Sequence, residues 1–146
     1  VLLDCITLLV SNVIIAAAIA RGKTLDVLYK ARLDLMTPEF AETELSEHLE
    51  EIVEKSGLDK TELQRLFEAI FMRTMKVKAR EYAAFRSKAE EISPDKQDWP
   101  FFAVALKENC TIWSNDKRLK KQSAVRIIGT GELVKLLAAV GALPEF

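Results

Sequence analysis

The feature that most constrains this chain is an alternation. Short apolar runs suited to buried strands recur between stretches with helical spacing, and no Pro/Gly/Ser-rich linker, repeat or low-complexity tract separates them. Leu33 to Met36 is one such run, and Thr37-Pro38-Glu39 then supplies a cap, a proline for the first helical position and a first-turn acid. The predicted helix carries Ala41, Leu45, Leu49 and Ile52 on one face as far as Gly57. Asp59 with Glu62 opens another, whose apolar stripe is Leu63, Leu66, Phe67, Ile70 and Phe71. Met75 and Val77 alternate with Lys76 and Lys78 as in an outer strand, and a helix around Glu81 to Glu91 follows. WPFFAVALK predicts a short helix, CTIW and VRII two buried strands, and Gly131 to Val140 a closing helix with Leu133, Leu136, Leu137 and Val140 on one face. Short strands separated by helices imply βαβ units, hence a three-layer α/β/α domain around a mostly parallel sheet. At 146 residues the chain is expected to be a single domain, 1–146.

The first twenty residues, VLLDCITLLVSNVIIAAAIA, are apolar enough to raise a membrane span or a secretion signal. A signal lacks its positive n-region here, and a span would have to bury Asp4 and the Ser11-Asn12 pair. A buried strand running into a buried helix gives the same composition, so no membrane association and a cytoplasmic location are expected. The chain opens at Val1 without Met, so its natural start is expected upstream. Cys5 and Cys110 lack zinc spacing and fit two buried thiols in a reducing compartment. A net charge of -1 excludes a global attraction to polyanions, so any nucleic-acid contact must come from a local patch.

In open parallel sheets, ligands sit beyond the carboxyl ends of the strands. Four carboxylates fall there by pattern: Asp116 after CTIWSN, Asp95 and Asp98 in the loop before a helix, and Glu44 in the second turn after LDLM. Each also has a structural role available. Asp98 suits an N-cap, which contributes about 1 kcal/mol on its own. Asp95 after Ser93-Pro94 suits an Asx turn, and Asp116 suits the cap of the KRLKKQ turn. Glu44 flanks the Ala41/Leu45/Leu49 stripe, whereas Glu42, Glu47, Glu50 and Glu51 read as ordinary solvated charges.

Gathered carboxylates repel one another unless a cation neutralises them. An all-oxygen set without His or Cys favours Mg²⁺ or Mn²⁺ over zinc, and such ions polarise a phosphodiester and activate water for in-line attack. The run Lys117, Arg118, Lys120 and Lys121 directly after Asp116 would then hold nucleic-acid phosphates beside the ion; as a charge run alone it also fits a solvated helix face.

SPDKQDWPFFAVAL followed by NCTIWSNDKRLK closely resembles the PIN domain, particularly its archaeal single-domain members, and TPEFAETELSEHLEEIVEKSG resembles the segment carrying that family's second acid. The resemblance runs from about Val10 to Val140. It implies a PIN-like parallel sheet between helices, an acid cluster binding Mg²⁺ or Mn²⁺, and endonuclease activity, usually on RNA. It also implies a homodimer and, for many bacterial and archaeal members, a toxin held by a cognate antitoxin. By motif position Glu44, Asp98 and Asp116 match the family's second, third and fourth acids, with Asp95 as a substitute ligand. Ser11, Asn12, Ser114 and Asn115 stand where small polar residues support the site. The departure is at the first strand, where the family's aspartate is replaced by Val10. If CITLLV is the strand, Asp4 sits at its opposite end, roughly 20 Å away at 3.3 Å per residue, out of reach of the site. The alternative to a nuclease is therefore a PIN-like module that binds RNA or a protein partner without cutting.

Other motifs fail. Gly22-Lys23-Thr24 lacks a P-loop's upstream glycine, Ala17 standing in its place. His48 has no nucleophile partner, and Trp99 and Trp113 suit core packing better than base stacking. A receiver-like signalling domain would need paired acids after the first strand and a lysine after the last, which LLVSN and VRIIGTG do not provide.

Overall fold

A computed structural model describes the backbone of residues 6–9 and residues 13–16 and 33–139 in full. Strands β1 (Ile6–Leu9), β2 (Leu35–Pro38), β3 (Thr74–Val77), β4 (Thr111–Trp113) and β5 (Ile127–Ile128) form one sheet in the order β3-β2-β1-β4-β5. Every pairing is parallel, with Leu8 opposite Met36, Leu9 opposite Trp113, and Trp113 opposite Ile128. The helices are α1 (Phe40–Glu47), α2 (Leu49–Ser56), α3 (Lys60–Met72), α4 (Ala79–Tyr82), α5 (Arg86–Ile92), α6 (Trp99–Glu108) and α7 (Thr130–Ala139), with residues 13–16 also helical.

Strand side chains point alternately to the two faces of a sheet, and here each face has its own core. On one side Leu35, Trp113 and Ile128 pack with Val13, Ile14, Leu45, Leu63, Phe67, Ile70, Leu133 and Leu137. On the other, Val77, Ile112 and Ile127 pack with Tyr82, Ala89 and the Phe101–Ala105 run of α6. This is the expected three-layer arrangement, and α6 is buried along most of its length because it covers the middle of its face. Within the apolar N-terminal segment, residues 6–9 are a strand and residues 13–16 are helical, with Val13 and Ile14 fully buried. Among the described residues no helix is long and apolar enough to cross a membrane.

Four local expectations are corrected. Thr37 and Pro38 belong to β2, and the residue before α1 is Glu39, whose amide donates to the Val77 carbonyl at 2.9 Å. Strand pairing with β3 thus overrides the capping pattern. The single helix expected to Gly57 is two, broken at His48 (φ -99°, ψ 10°). In β3 the buried positions are Thr74 and Val77, and Met75 is exposed, because this strand is the sheet's edge. The helix around Glu81 to Glu91 is α4 and α5 joined by a 3₁₀ turn, Ala83–Phe85. By contrast Asp59 caps α3, accepting from the amides of Thr61 and Glu62, and Gly57 ends α2 in the left-handed conformation at φ 70°.

Candidate functional site

From β1 the chain proceeds to β2 and β3 on one side, and β4 then returns to the other side of β1. The switch point therefore lies between β1 and β4, and in sheets of this kind ligands bind beyond the carboxyl ends of the strands there. Glu44 reaches this end from α1, which starts two residues after β2. Asp95 and Asp98 flank a 3₁₀ turn, Lys96–Asp98, leading into α6, and Asp116 follows β4 by three residues.

Asp98 occupies the N-cap position of α6, yet its carboxylate makes no capping hydrogen bond. The cap reading therefore accounts for its place in the backbone but not for its side chain. Half-burial, followed by the negative charges of Asp95, Glu44 and Asp116, pushes its pKa up to about 6, with Arg118 opposing. Carboxylates from three chain segments thus act on Asp98. Asp95 does make the expected turn, its Oδ1 accepting from the Gln97 amide at 3.0 Å.

Asp116 is held differently. Its Oδ1 accepts from the Arg118 amide at 3.0 Å, the expected cap. The Arg118 side chain then grips the same carboxylate, Nε lying 3.1 Å from Oδ1 and 3.2 Å from Oδ2, and Nη2 2.8 Å from Oδ2. These bonds hold the Asp116 carboxyl below the usual carboxylate range. The basic run divides accordingly. Arg118 pairs with Asp116 and Lys120 with Glu132 of α7, while Lys117 and Lys121 are exposed and make no ion pair among the described residues.

Ser114 and Asn115 build the loop. The Ser114 hydroxyl accepts from the Asp116 amide at 3.1 Å, and Asn115 Oδ1 accepts from the Thr130 amide at 2.8 Å, tying the end of β4 to the start of α7. Trp113 is fully buried and its indole N–H donates to the Thr130 hydroxyl, so its role is packing. Trp99 packs edge-on against Tyr82 and under the Arg86 guanidinium. His48 is exposed beside Glu51, as expected of a solvent-edge histidine. Asp4, Cys5, Val10, Ser11, Asn12 and Gly22-Lys23-Thr24 lie outside the described residues, as does Val140. Two cavities of about 390 and 410 Å³, beside Phe67 and Tyr82 respectively, are lined by none of Glu44, Asp95, Asp98 and Asp116. Neither gathers the charge found at the strand ends.

A family model described as "PIN domain" matches residues 8–130. The chain belongs to the PIN domain family. Two solved structures share the PIN fold with it. VapBC2 from Rickettsia felis, bound to a DNA fragment from their promoter, superposes with a TM-score of 0.61 at 14% identity, covering 85% of this chain and 98% of that one. PAE2754 from Pyrobaculum aerophilum superposes at 0.62 and 14% identity, covering 92% and 90%. No curated protein sequence matches the chain.

PIN domains generally depend on a divalent metal. The donor chemistry here fits one, because an all-carboxylate set around a half-buried acid is a field that a hard cation relieves. The spacing is more open than that. Among the described residues no three His, Cys, Asp or Glu side chains are close enough together to hold an ion as they stand. Both oxygens of Asp116 face Arg118 instead. Sequence reasoning assigned Arg118 to phosphate binding and missed this grip, although a signal existed. In Asp-x-Arg with the acid at a cap, the amide that bonds the carboxylate belongs to the arginine itself, so its side chain starts beside that carboxylate.

Proposed function

We propose that this protein is a metal-dependent endoribonuclease of PIN type, hydrolysing RNA phosphodiesters with Glu44, Asp98 and Asp116 as ligands of a Mg²⁺ or Mn²⁺ ion and Asp95 as an accessory ligand. The observation that carries the reading is the convergence of these carboxylates, from α1, the loop before α6 and the end of β4, on the switch point of a PIN-family sheet. A bound divalent ion supplies Lewis-acid stabilisation of charge on a phosphodiester oxygen. The chain's own residues do the rest. Half-buried Asp98 keeps a carboxylate at the inner wall of the crevice, and Ser114 and Asn115 fix the loop that aims Asp116. Exposed Lys117 and Lys121 hold backbone phosphates without reading sequence.

The likeness to VapBC2, a toxin–antitoxin pair, supports a toxin role with a cognate antitoxin as protein partner, acting on cytoplasmic RNA as a homodimer. The test is cleavage of a single-stranded RNA. EDTA and Asp116→Asn are each expected to stop it, and cleavage that survives both would overturn the assignment.

A second reading, an RNA- or protein-binding module that no longer cuts, is favoured by Val10 at the position of the family's first acid and by the Arg118 grip on Asp116. Val10→Asp separates the two. Cleavage appearing only in that variant would identify a degenerate site, whereas equal cleavage with and without the substitution would show the native set to be sufficient.

A further inference from the structure

Tyr82, at the end of α4, is a polar side chain that the acids and the basic turn do not use. It is 3% exposed, and its ring packs edge-on against Trp99 at 5.7 Å. Among the described residues its hydroxyl has no hydrogen-bond partner, although buried polar groups nearly always have one. Tyr82 lines the cavity of about 410 Å³, together with Glu39, Phe40, Glu42 and Lys76. A cavity of that size falls in the range of small-molecule sites, about 300–1,000 Å³. Phe40 connects it to the acids. Phe40 and Glu44 are four residues apart on α1 and so share a face, and the Phe40 ring meets Phe101, three residues after Asp98, at 5.5 Å.

Charge selects the occupant. Lys76 is paired with Glu42, whereas the Glu39 carboxylate accepts only a long bond among the described residues, from the Ala79 amide at 3.5 Å. Burial, and then the negative charge of Glu39, raises the Tyr82 pKa, so at neutral pH the phenol is a donor in the field of that carboxylate. Such a wall repels phosphate and suits the edge of a base. Every base sets an acceptor beside a donor, but guanine alone sets two parallel donors, N1–H and N2–H, next to its O6, and these match the two oxygens of one carboxylate. We propose that the cavity receives a guanine of the RNA strand, Tyr82 donating to O6 and Glu39 accepting from N1–H and N2–H, with the half-buried Phe40 ring against the base. This rests on the nuclease reading above and adds a base preference to it, which Lys117 and Lys121, as phosphate contacts, do not supply.

The experiment measures, by fluorescence anisotropy in Mg²⁺, the binding of cleavage-resistant phosphorothioate oligouridylates that carry one central guanosine, inosine or adenosine. The proteins are wild type, Tyr82→Phe, which keeps the ring against Trp99, and Glu39→Gln. Wild type is expected to bind the guanosine strand about tenfold tighter than the adenosine strand, with inosine, which lacks the N2 amino group, between them. Glu39→Gln should erase the difference between guanosine and inosine. Tyr82→Phe should weaken both by a similar factor and leave adenosine unchanged, a pattern that general loss of stability does not produce. Equal melting temperatures check that folding is intact. Equal affinity of wild type for the three strands, or an unchanged preference in both variants, overturns the guanine site while the nuclease reading stands. So does Glu39-dependent binding of an arginine-rich peptide in place of a base preference, which would make the cavity a protein contact. If wild type binds none of the strands, RNA is not the ligand, and the nuclease reading falls together with this inference.

Discussion

At the scale of single residues, Asp98 gives the most direct physical handle. Its folded pKa of about 6 lies above the ordinary carboxylate value of about 3.9, so between those two pH values the folded protein holds a proton that the unfolded chain has lost. The contribution of this group to stability therefore falls as pH rises from about 4 to about 6 and is constant above. In EDTA, Asp98→Asn is expected to raise the melting temperature at pH 7.5 by about 2–4 °C, on the order of 1 kcal/mol after allowance for solvent screening. That difference should shrink toward pH 4. A gain of the same size at both pH values would show that the carboxylate is not under this charge pressure. Asp116 runs the other way. Its depressed pKa contributes stability above the ordinary carboxylate range, and that stability is lost as pH falls through its folded value. The acids were legible as residues in the sequence, since a carboxylate just past a strand or just before a helix marks itself. What could not be read was which of them caps: Asp95 and Asp116 do so and Asp98 does not, because that depends on side-chain rotamers rather than position.

At the scale of elements, the 3₁₀ turn Lys117–Lys121 sorts a run of like charges into different roles. Its tight winding buries Leu119, commits Arg118 to Asp116 and Lys120 to α7, and leaves Lys117 and Lys121 exposed. Replacing Lys117 and Lys121 together by Ala is expected to reduce the slope of log affinity for single-stranded RNA against log salt by about 1.4, from about 0.7 per phosphate contact. An unaltered slope would remove both from the interface. The end of α2 offers a control on local reading: Gly57 sits at φ 70° with open space around it, so Gly57→Ala is expected to destabilise by about 1 kcal/mol in urea unfolding, and a neutral result would contradict the left-handed cap. The strongly periodic α3 and the continuous apolar run of α6 after Asp98-Trp99-Pro100 follow from sequence. The break at His48 does not, because Leu45, Leu49 and Ile52 stay buried in one core across it and the stripe therefore looks continuous, while Ala41 packs with the core on the other side of the sheet. Thr37-Pro38 misled for a related reason, since a helix-start pattern and an edge pairing with Val77 make the same residues look favourable.

At the scale of the whole molecule, function depends on strand order. Helices between short strands imply a parallel sheet, but nothing local in the sequence states that β1 lies between β2 and β4. That placement is what brings Glu44 and Asp116 near enough to act on Asp98 although the three are far apart in the chain. The resemblance to PIN domains implied a parallel sheet between helices and matched the acids by motif, but it did not state this strand order. The most direct measurement of the central claim is the amount of free Mn²⁺, read by electron paramagnetic resonance, as wild-type protein, Asp98→Asn and Asp116→Asn are titrated. One saturable Mn²⁺ site per wild-type chain is expected, with a loss of at least about tenfold in affinity in each variant. Binding of undiminished strength in both variants would contradict it.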